Sequence, residues 1–356
     1  IEWAGVQPWS NGKVGLSGIS YYAVNQWNVA AIGPKHLAAI CPWEGFNDHY
    51  RELAYHGGIY TSFQRHWYDK QILPIQHGYG DRGFRSRANG EWAAGPKTLS
   101  EEELVANRYD LHGEFSSHPL DDEFYAERTP DLTKIKIPVL SCANWGGAPL
   151  HPRGNFNGYI YSSSPDKWLE VHGLEHWSLY YTDYGNDLQK RFFDCFLKGD
   201  ASGWKDQPTV SLNVRHEGEK FVLRGEEDWP IPRTNWTKFY LEPNGQMLAK
   251  TPASEEAAIS YAATGDGLTF VSNPMEEETE FCGPIATKLW VSSDTKDADI
   301  FVVLRVFSPD LKEVVFHGAL DPHTPVASGW LRASHRKLDN DRSEEWAPFH
   351  THDVEE

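Results

Sequence analysis

The chain has no long apolar run, few cysteines and a shortage of basic residues, and each shortage excludes a class of protein. No apolar run approaches the roughly 20 residues that cross a bilayer. Lys and Arg total 33 against 51 Asp and Glu, a net charge of −18, so nucleic acids and anionic membranes are not expected partners. The four cysteines are widely spaced, which argues against a disulfide framework and favours a soluble protein in a reducing compartment such as the cytoplasm.

An apolar strand that passes into a helix through Gly-x-Ser is the most informative feature of the sequence. Residues 13–18 read as a strand, and helix-forming sequence begins at Tyr21. A serine on such a sharp turn is held clear of its backbone, and the N–H of the next residue points to where an oxyanion forms. The pattern predicts Ser20 as a nucleophile and the Tyr21 backbone N–H as an oxyanion donor. The alternative is a serine that only caps the helix.

The order of the elements predicts an α/β-hydrolase fold followed by a β-domain. Strands alternate with helices in residues 1–199, which is typical of a parallel α/β sheet, and a polar, aromatic-rich helical insertion at about 46–132 is expected to form a cap. Residues 200–208 read as a linker. Strand candidates dominate 209–356, which favours a β-sandwich or jelly roll, and they lie at 210–214, 238–241, 268–271, 288–291 and 299–306. Only nineteen residues precede Ser20, so we expect the N-terminal strands of this fold to be missing from the chain.

The general base is predicted from chain order, because the histidine of this fold follows the last strands of the sheet. His176 lies in a loop after the strand candidate 167–171, and an imidazole can accept a serine proton near neutral pH. The acid should follow the strand that ends at Cys142, but that loop contains no Asp or Glu. We expect Asn144 to orient the histidine as a weaker partner, an acid such as Asp183 or Glu175 to substitute, or the protein to be a poor catalyst.

A rival motif overlaps this histidine. Residues 172–176, His-Gly-Leu-Glu-His, match the H-x-x-E-H pattern in which a helix presents two histidines to zinc. Gly173 directly follows a strand-like run, which disfavours the helix that such a site requires. The sequence therefore predicts no metal.

Aromatic and acidic residues next to the predicted strand ends are candidates for the substrate pocket. Trp43, Glu44 and Trp145 follow strands on the side where α/β sheets bind ligands. Glu44 could anchor a substrate amine, as a dipeptidyl peptidase would require. Packing and a surface salt bridge explain these residues almost as well. The fifteen tryptophans also suggest aromatic pocket walls, although core packing accounts for most of them.

With these features in place, the chain resembles the cocaine esterase / X-Pro dipeptidyl-peptidase (CocE/NonD) family of serine hydrolases. The resemblance covers nearly the whole chain and is carried by Trp9-Ser10-Asn11-Gly12-Lys13-Val14-Gly15, Gly18-Ile19-Ser20-Tyr21, Pro42-Trp43-Glu44-Gly45, Asp297-Ala298-Asp299-Ile300-Phe301-Val302 and Gly329-Trp330-Leu331-Arg332-Ala333-Ser334-His335-Arg336. The family usually places its acid where Gly147 stands here. Its last domain normally continues past Glu356, so this end is expected to be truncated as well.

The resemblance implies a Ser-Asp-His triad that cleaves esters or amides, with a helical cap and a C-terminal jelly roll. We therefore expect a serine hydrolase that forms an acyl-enzyme with a small ester, an amide or a short peptide and needs no cofactor. One alternative is an Xaa-Pro dipeptidyl peptidase. Another is a weak or inactive relative that serves as a binding or scaffold protein, and a homo-oligomer is compatible with the sequence.

Overall fold

A computed structural model describes all residues from Ile1 to Glu356. The helices are α1 (Glu2–Gly5), α2 (Tyr21–Ile32), α3 (Phe63–Trp67), α4 (Glu101–Ala106), α5 (Leu111–Ser117), α6 (Glu123–Ala126), α7 (Pro152–Tyr161) and α8 (Asp183–Phe193). The strands are β1 (Val14–Ile19), β2 (Leu37–Trp43), β3 (Tyr55–His56), β4 (Ile59–Tyr60), β5 (Val139–Asn144), β6 (Lys167–His172), β7 (Val210–His216), β8 (Lys220–Glu226), β9 (Tyr240–Glu242), β10 (Met247–Ala249), β11 (Asp299–Leu304), β12 (Val306–Phe307), β13 (Glu313–Val314) and β14 (Ala327–Arg332). None of the helices is long and apolar enough to span a membrane.

A six-stranded sheet forms the centre of the first half of the chain. Its order is β1-β2-β5-β6-β7-β8, in which the first five strands are parallel and β8 is antiparallel to β7. The register places Ile19 opposite Trp43, Trp43 opposite Cys142 and Asn144 opposite His172. The carboxyl ends of four neighbouring strands therefore meet at one edge of the sheet, where α/β sheets bind ligands.

Apolar side chains on both faces of the sheet explain why these strands are buried. One cluster packs Leu188 and Phe192 of α8, together with Trp204, against the central strands, and another packs α2 against β2 through Trp27 and Ile40. β5 is fully buried, and β2 is buried at all but one position, which fits a strand pair covered by helices on both sides. The α/β alternation predicted for residues 1–199 thus produces a parallel sheet with a core on each face.

The segment between β2 and β5 contains short helices and the β3–β4 hairpin. Its own core is aromatic, with Tyr50, Tyr55, Phe115 and Tyr125 in one buried cluster. Glu52 ties this insertion to α7 because its carboxylate accepts the backbone N–H groups of Asn47, Asp48 and Gly154. The helical character predicted for 46–132 is present, and its role as a cap stays a prediction.

The second half of the chain differs from the sequence prediction at three of the strand candidates. The segment beginning at Val210, expected to start the β-domain, is β7 and continues the first sheet by pairing with β6, because its apolar residues Val210 and Leu212 complete that core. Beyond β8 the structure has three two-stranded ladders, β9–β10, β11–β14 and β12–β13. The expected strands at 268–271 and 288–291 do not form, and the jelly roll stays a prediction.

Contacts from the second half hold the loops at the carboxyl edge of the sheet. The backbone N–H of His176 donates to the Ala319 carbonyl at 3.0 Å, and the Ala319 N–H donates to the Gly146 carbonyl at 3.0 Å. Arg51 of the insertion donates to the carbonyls of His350 and Thr351. Residues far apart in the chain therefore fix the same edge of the sheet.

Candidate active site

Ser20 occupies the turn between β1 and α2 in a strained backbone conformation. Its φ of 61° and ψ of −125° are sparsely populated for a residue with a side chain. A Cβ at Gly18 would lie 2.6 Å from the Cβ of Tyr22, so the turn requires glycine there. Tyr21 is the first residue of α2, where no preceding turn supplies an acceptor for its backbone N–H. These are the features of a nucleophile elbow.

The hydroxyl of Ser20 contacts His151, a residue that the sequence analysis did not single out. The Ser20 Oγ lies 3.3 Å from His151 Nε2, at the start of α7. The His151 ring stacks on Phe46 and on His176, with the two histidine ring centroids 5.2 Å apart. Its Nδ1 is buried without a hydrogen-bond partner, and burial lowers the pKa of His151 to about 3. His151 is therefore neutral at ordinary pH.

His176 is held by Glu44, which follows β2. The Glu44 Oε2 lies 2.6 Å from His176 Nδ1, and the Oε1 accepts the Trp177 backbone N–H at 3.2 Å. Glu44 is 1% exposed and has a φ of 49°, a left-handed conformation that turns its side chain back over the sheet edge. Burial alone would raise the pKa of Glu44, but hydrogen bonds from His172 and His176 outweigh burial and hold this pKa far below the usual range.

The structure does not place the expected partners of His176 beside it. The Asn144 side chain donates to the Leu174 carbonyl at 2.9 Å and accepts the Gly146 N–H at 2.9 Å, so it shapes the loop and makes no hydrogen bond to His176. Asp183 and Glu175 are exposed. Asp183 lies in the first turn of α8, and Glu175 bonds to Ser178. The carboxylate that contacts the imidazole is Glu44, expected as a pocket residue.

His172 accounts for the other end of the H-x-x-E-H motif. It is the last residue of β6, and its Nε2 lies 3.2 Å from Glu44 Oε1 while its Nδ1 lies 2.7 Å from Glu170 Oε2. Residues 173–176 form no helix, and Leu174 has a φ of 72°, so the two histidines do not share a helix face as the zinc motif requires. No cluster of His, Cys, Asp and Glu side chains is arranged to hold a metal ion.

The other expected pocket residues lie beneath or beside the site. Trp43 is fully buried in the core under the sheet edge, where its ring packs 5.4 Å from that of His172, so it cannot line a pocket. Trp145 is half-buried and donates its indole N–H to the Asn213 carbonyl. The exposed aromatic side chains near the elbow are instead Tyr21, Tyr22 and Trp177.

Sequence reasoning gave Glu44 a different role and missed His151 altogether, for different reasons. Glu44 directly follows a buried strand, a position that does signal a site residue, but its role depends on a side chain turned sideways to a loop two strands away. His151 is one of sixteen histidines and lies in an irregular loop without a spacing signal. Only the pairing order of the strands brings both beside His176.

Two family models match most of the chain. Residues 1–178 match the X-Pro dipeptidyl-peptidase (S15 family) model, and residues 202–355 match the X-Pro dipeptidyl-peptidase C-terminal non-catalytic domain. Together they support the expectation of a hydrolase half followed by a second domain.

Known proteins with similar sequences and structures agree with these matches. The cocaine esterase of Rhodococcus is 25% identical over 341 residues, covering 84% of this chain and 56% of that protein. The crystal structure of a CocE/NonD family hydrolase from Staphylococcus aureus superposes with a TM-score of 0.85 at 35% identity, covering 99% of this chain and 60% of that one. An aminopeptidase from a marine-sediment archaeon, at 16% identity and a TM-score of 0.61, shares the fold and covers 99% of this chain and 66% of its own.

The chain thus spans 56% of the length of the cocaine esterase and 60% of the length of the staphylococcal hydrolase. Its mixed, mainly parallel sheet is that of an α/β hydrolase joined to a second domain. By the family matches, the sheet and the relatives taken together, this chain belongs to the X-Pro dipeptidyl-peptidase (CocE/NonD) family of serine hydrolases.

Proposed function

We propose that this chain carries the reaction centre of a serine hydrolase that cleaves a carboxylic ester or amide through an acyl-enzyme. Ser20 is the nucleophile, His176 the general base and Glu44 the acid. The observation that carries this proposal is the strained Ser20 elbow, whose hydroxyl contacts His151, together with His176, which stacks on His151 and has its Nδ1 2.6 Å from a carboxylate. Nucleophile, base and orienting group are the three parts that acyl transfer requires.

The reaction begins when the Ser20 hydroxyl rotates from His151 toward His176. His176 takes the hydroxyl proton at Nε2 as Oγ bonds to the substrate carbonyl carbon, and the Tyr21 backbone N–H donates to the oxyanion that forms. The imidazolium then gives its proton to the leaving alcohol or amine, and the acyl group stays on Oγ. Water then attacks the acyl carbon as His176 takes its proton, and His176 gives that proton to the Ser20 Oγ as the carboxylic acid leaves.

His151 is the nearer histidine, but its surroundings are poor for a base. A proton on its ring would create a buried cation with no carboxylate partner, next to a second histidine. His176 has the opposite environment, because Glu44 stabilises the imidazolium that appears in the transition state. We therefore assign His151 to holding the Ser20 hydroxyl before substrate binds.

An ester with an apolar acyl or alcohol group fits the site better than a dipeptide with a free amine. Glu44, the acid that could bind such an amine, is 1% exposed, and its oxygens accept from His172, His176 and the Trp177 N–H. The rim near the elbow is aromatic, since Tyr21, Tyr22 and Trp177 are each about half exposed. Aromatic faces bind apolar groups.

The test combines covalent labelling with turnover. The protein should hydrolyse p-nitrophenyl butyrate and take up one fluorophosphonate per chain, and Ser20→Ala should abolish both while the thermal unfolding curve stays in place. The matched control is Ser17→Ala, a strand serine whose hydroxyl bonds to Tyr180 and Gln189 outside the site. Labelling that persists in Ser20→Ala would refute the assignment, and faster cleavage of Xaa-Pro-anilides than of esters would favour the dipeptidyl peptidase.

A further inference from the structure

His172 is a buried histidine between two carboxylates. It has no role in the acyl-transfer steps described above. Its Nδ1 lies 2.7 Å from Glu170 Oε2, its Nε2 lies 3.2 Å from Glu44 Oε1, and the side chain is 1% exposed. An ionised carboxylate only accepts hydrogen bonds, so each ring nitrogen must donate. Only the doubly protonated imidazolium has two N–H groups, so the geometry requires a cation at this position.

The groups around His172 reinforce this charge assignment. Glu170, on the same strand, also accepts from the Asn213 amide at 3.0 Å and from the Tyr184 hydroxyl of α8 at 3.5 Å. The Cys142 thiol of β5 is neutral, because burial raises its pKa well above the ordinary value. Burial alone would lower the pKa of His172, but the carboxylates of Glu170 and Glu44 raise it to about 10.

We propose that His172, fixed by Glu170, is a cationic positioning residue that holds Glu44 ionised and aims its second oxygen at His176. The inference rests on the proposed function, in which Glu44 orients the base. Two carboxylates and one imidazolium give a local charge of −1 while His176 is neutral. When His176 takes the serine proton these four side chains become neutral together, and the remaining negative charge lies on the oxyanion, to which the Tyr21 N–H donates.

This arrangement also explains the motif that resembles a zinc site. His172 and His176 occupy both ends of the pattern because both bind the same carboxylate, one through each oxygen of Glu44. The acid inside the motif, Glu175, is exposed and takes no part. A strand residue and a loop residue can meet one carboxylate from two sides, which a single helix face does not allow.

The change that tests the role is His172→Gln, which keeps a donor but removes the charge. The remaining carboxylates would then stabilise a protonated base more strongly. We expect the acid limb of kcat/KM for p-nitrophenyl butyrate to move to higher pH by on the order of one unit. Tyr184→Phe is the control, because it removes a hydroxyl beside Glu170 without changing the charge, and its acid limb should coincide with that of the wild type. An acid limb unchanged in His172→Gln would overturn the proposal.

A second measurement needs no variant and no turnover. The imidazole ¹⁵N signals of His172 in the wild-type protein, assigned through backbone correlations, should show two protonated nitrogens at pH 7.5. Signals of a neutral ring at that pH would overturn the proposal even if His172→Gln fails to fold. The two hypotheses remain separable: labelling that persists in Ser20→Ala refutes the hydrolase mechanism but not the imidazolium, whereas a neutral His172 refutes only the latter.

Discussion

Replacing Glu44 by Gln tests whether this side chain is the acid of the site. The substitution keeps the shape of the side chain and removes its charge. The Oε2 of Glu44 accepts from His176, and the Oε1 accepts from His172 and the Trp177 N–H. The NH₂ group of a glutamine would face either His176 or the pair formed by His172 and the Trp177 N–H. In either orientation an N–H donor therefore faces another N–H donor.

The expected loss of turnover follows from the role of the Glu44 carboxylate as the partner of the base. Replacing the acid of a serine-protease triad by its amide costs about 10⁴ in kcat, which corresponds to roughly 5 kcal/mol of transition-state stabilisation. Glu44 is fully buried and bonds directly to the base, so we expect Glu44→Gln to lose turnover of p-nitrophenyl butyrate by about the same factor. Fluorophosphonate labelling should become much slower yet remain detectable.

The control is Glu175→Gln, an exposed acid in the loop of His176 that should stay within a factor of about two of the wild type. Far-UV circular dichroism and thermal unfolding exclude loss of the fold as the cause. A Glu44→Gln variant that keeps more than about a tenth of wild-type turnover would refute the assignment.

Three further predictions follow from contacts at and around the site. His151→Phe keeps the stacked ring but loses the hydrogen bond to Ser20, so turnover should fall about tenfold or less. Loss of a triad histidine costs roughly 10⁶ in turnover, so a decrease of that size in His151→Phe would make His151 the base. Glu52→Gln should lower the free energy of unfolding by about 1–3 kcal/mol in urea denaturation, because the NH₂ group of the glutamine would face buried backbone N–H donors. The control Glu217→Gln, at an exposed position, should change the free energy of unfolding little. Folding raises the pKa of His172 from 6.5 to about 10, so the protonated His172 stabilises the folded state fully below pH 6.5 and this contribution is lost as the pH rises toward 10. The free energy of unfolding of the wild type should therefore fall by a few kcal/mol over that pH range. A wild-type curve as flat as that of His172→Gln would contradict the charge assignment.

Local patterns in the sequence predict the elements of the sheet well. The strand β6 begins at the residue expected from its sequence, and the Gly-x-Ser turn predicts the start of α2 at Tyr21. These features depend on neighbouring residues only, because periodicity, turn glycines and strand-end polarity are local properties. The positions of Ser20 and His176 at the carboxyl edge follow from them.

Long-range pairing is what the sequence did not reveal. Val210 begins a strand after a linker-like segment, so a new domain was the simpler interpretation, yet β7 pairs with β6. Glu44 lies 132 residues from His176, and nothing in the local sequence shows which loop its carboxylate faces. The short, exposed strands of the second half also depend on partners, and β-propensity alone wrongly predicted strands at 288–291.

The strand order explains how the acid that we propose, Glu44, can follow β2 when the family usually places its acid after the strand that corresponds to β5. In the order β1-β2-β5-β6, the ends of β2 and β5 both lie between the strand that precedes Ser20 and the strand that precedes His176. A carboxylate from either end can reach an imidazole above the edge, provided that its backbone turns toward β6. Glu44 makes that turn through its left-handed φ of 49°, and Asn144 is left to shape the loop. The missing acid of the sequence is thus compatible with an intact triad, because a parallel sheet offers equivalent positions at adjacent strand ends.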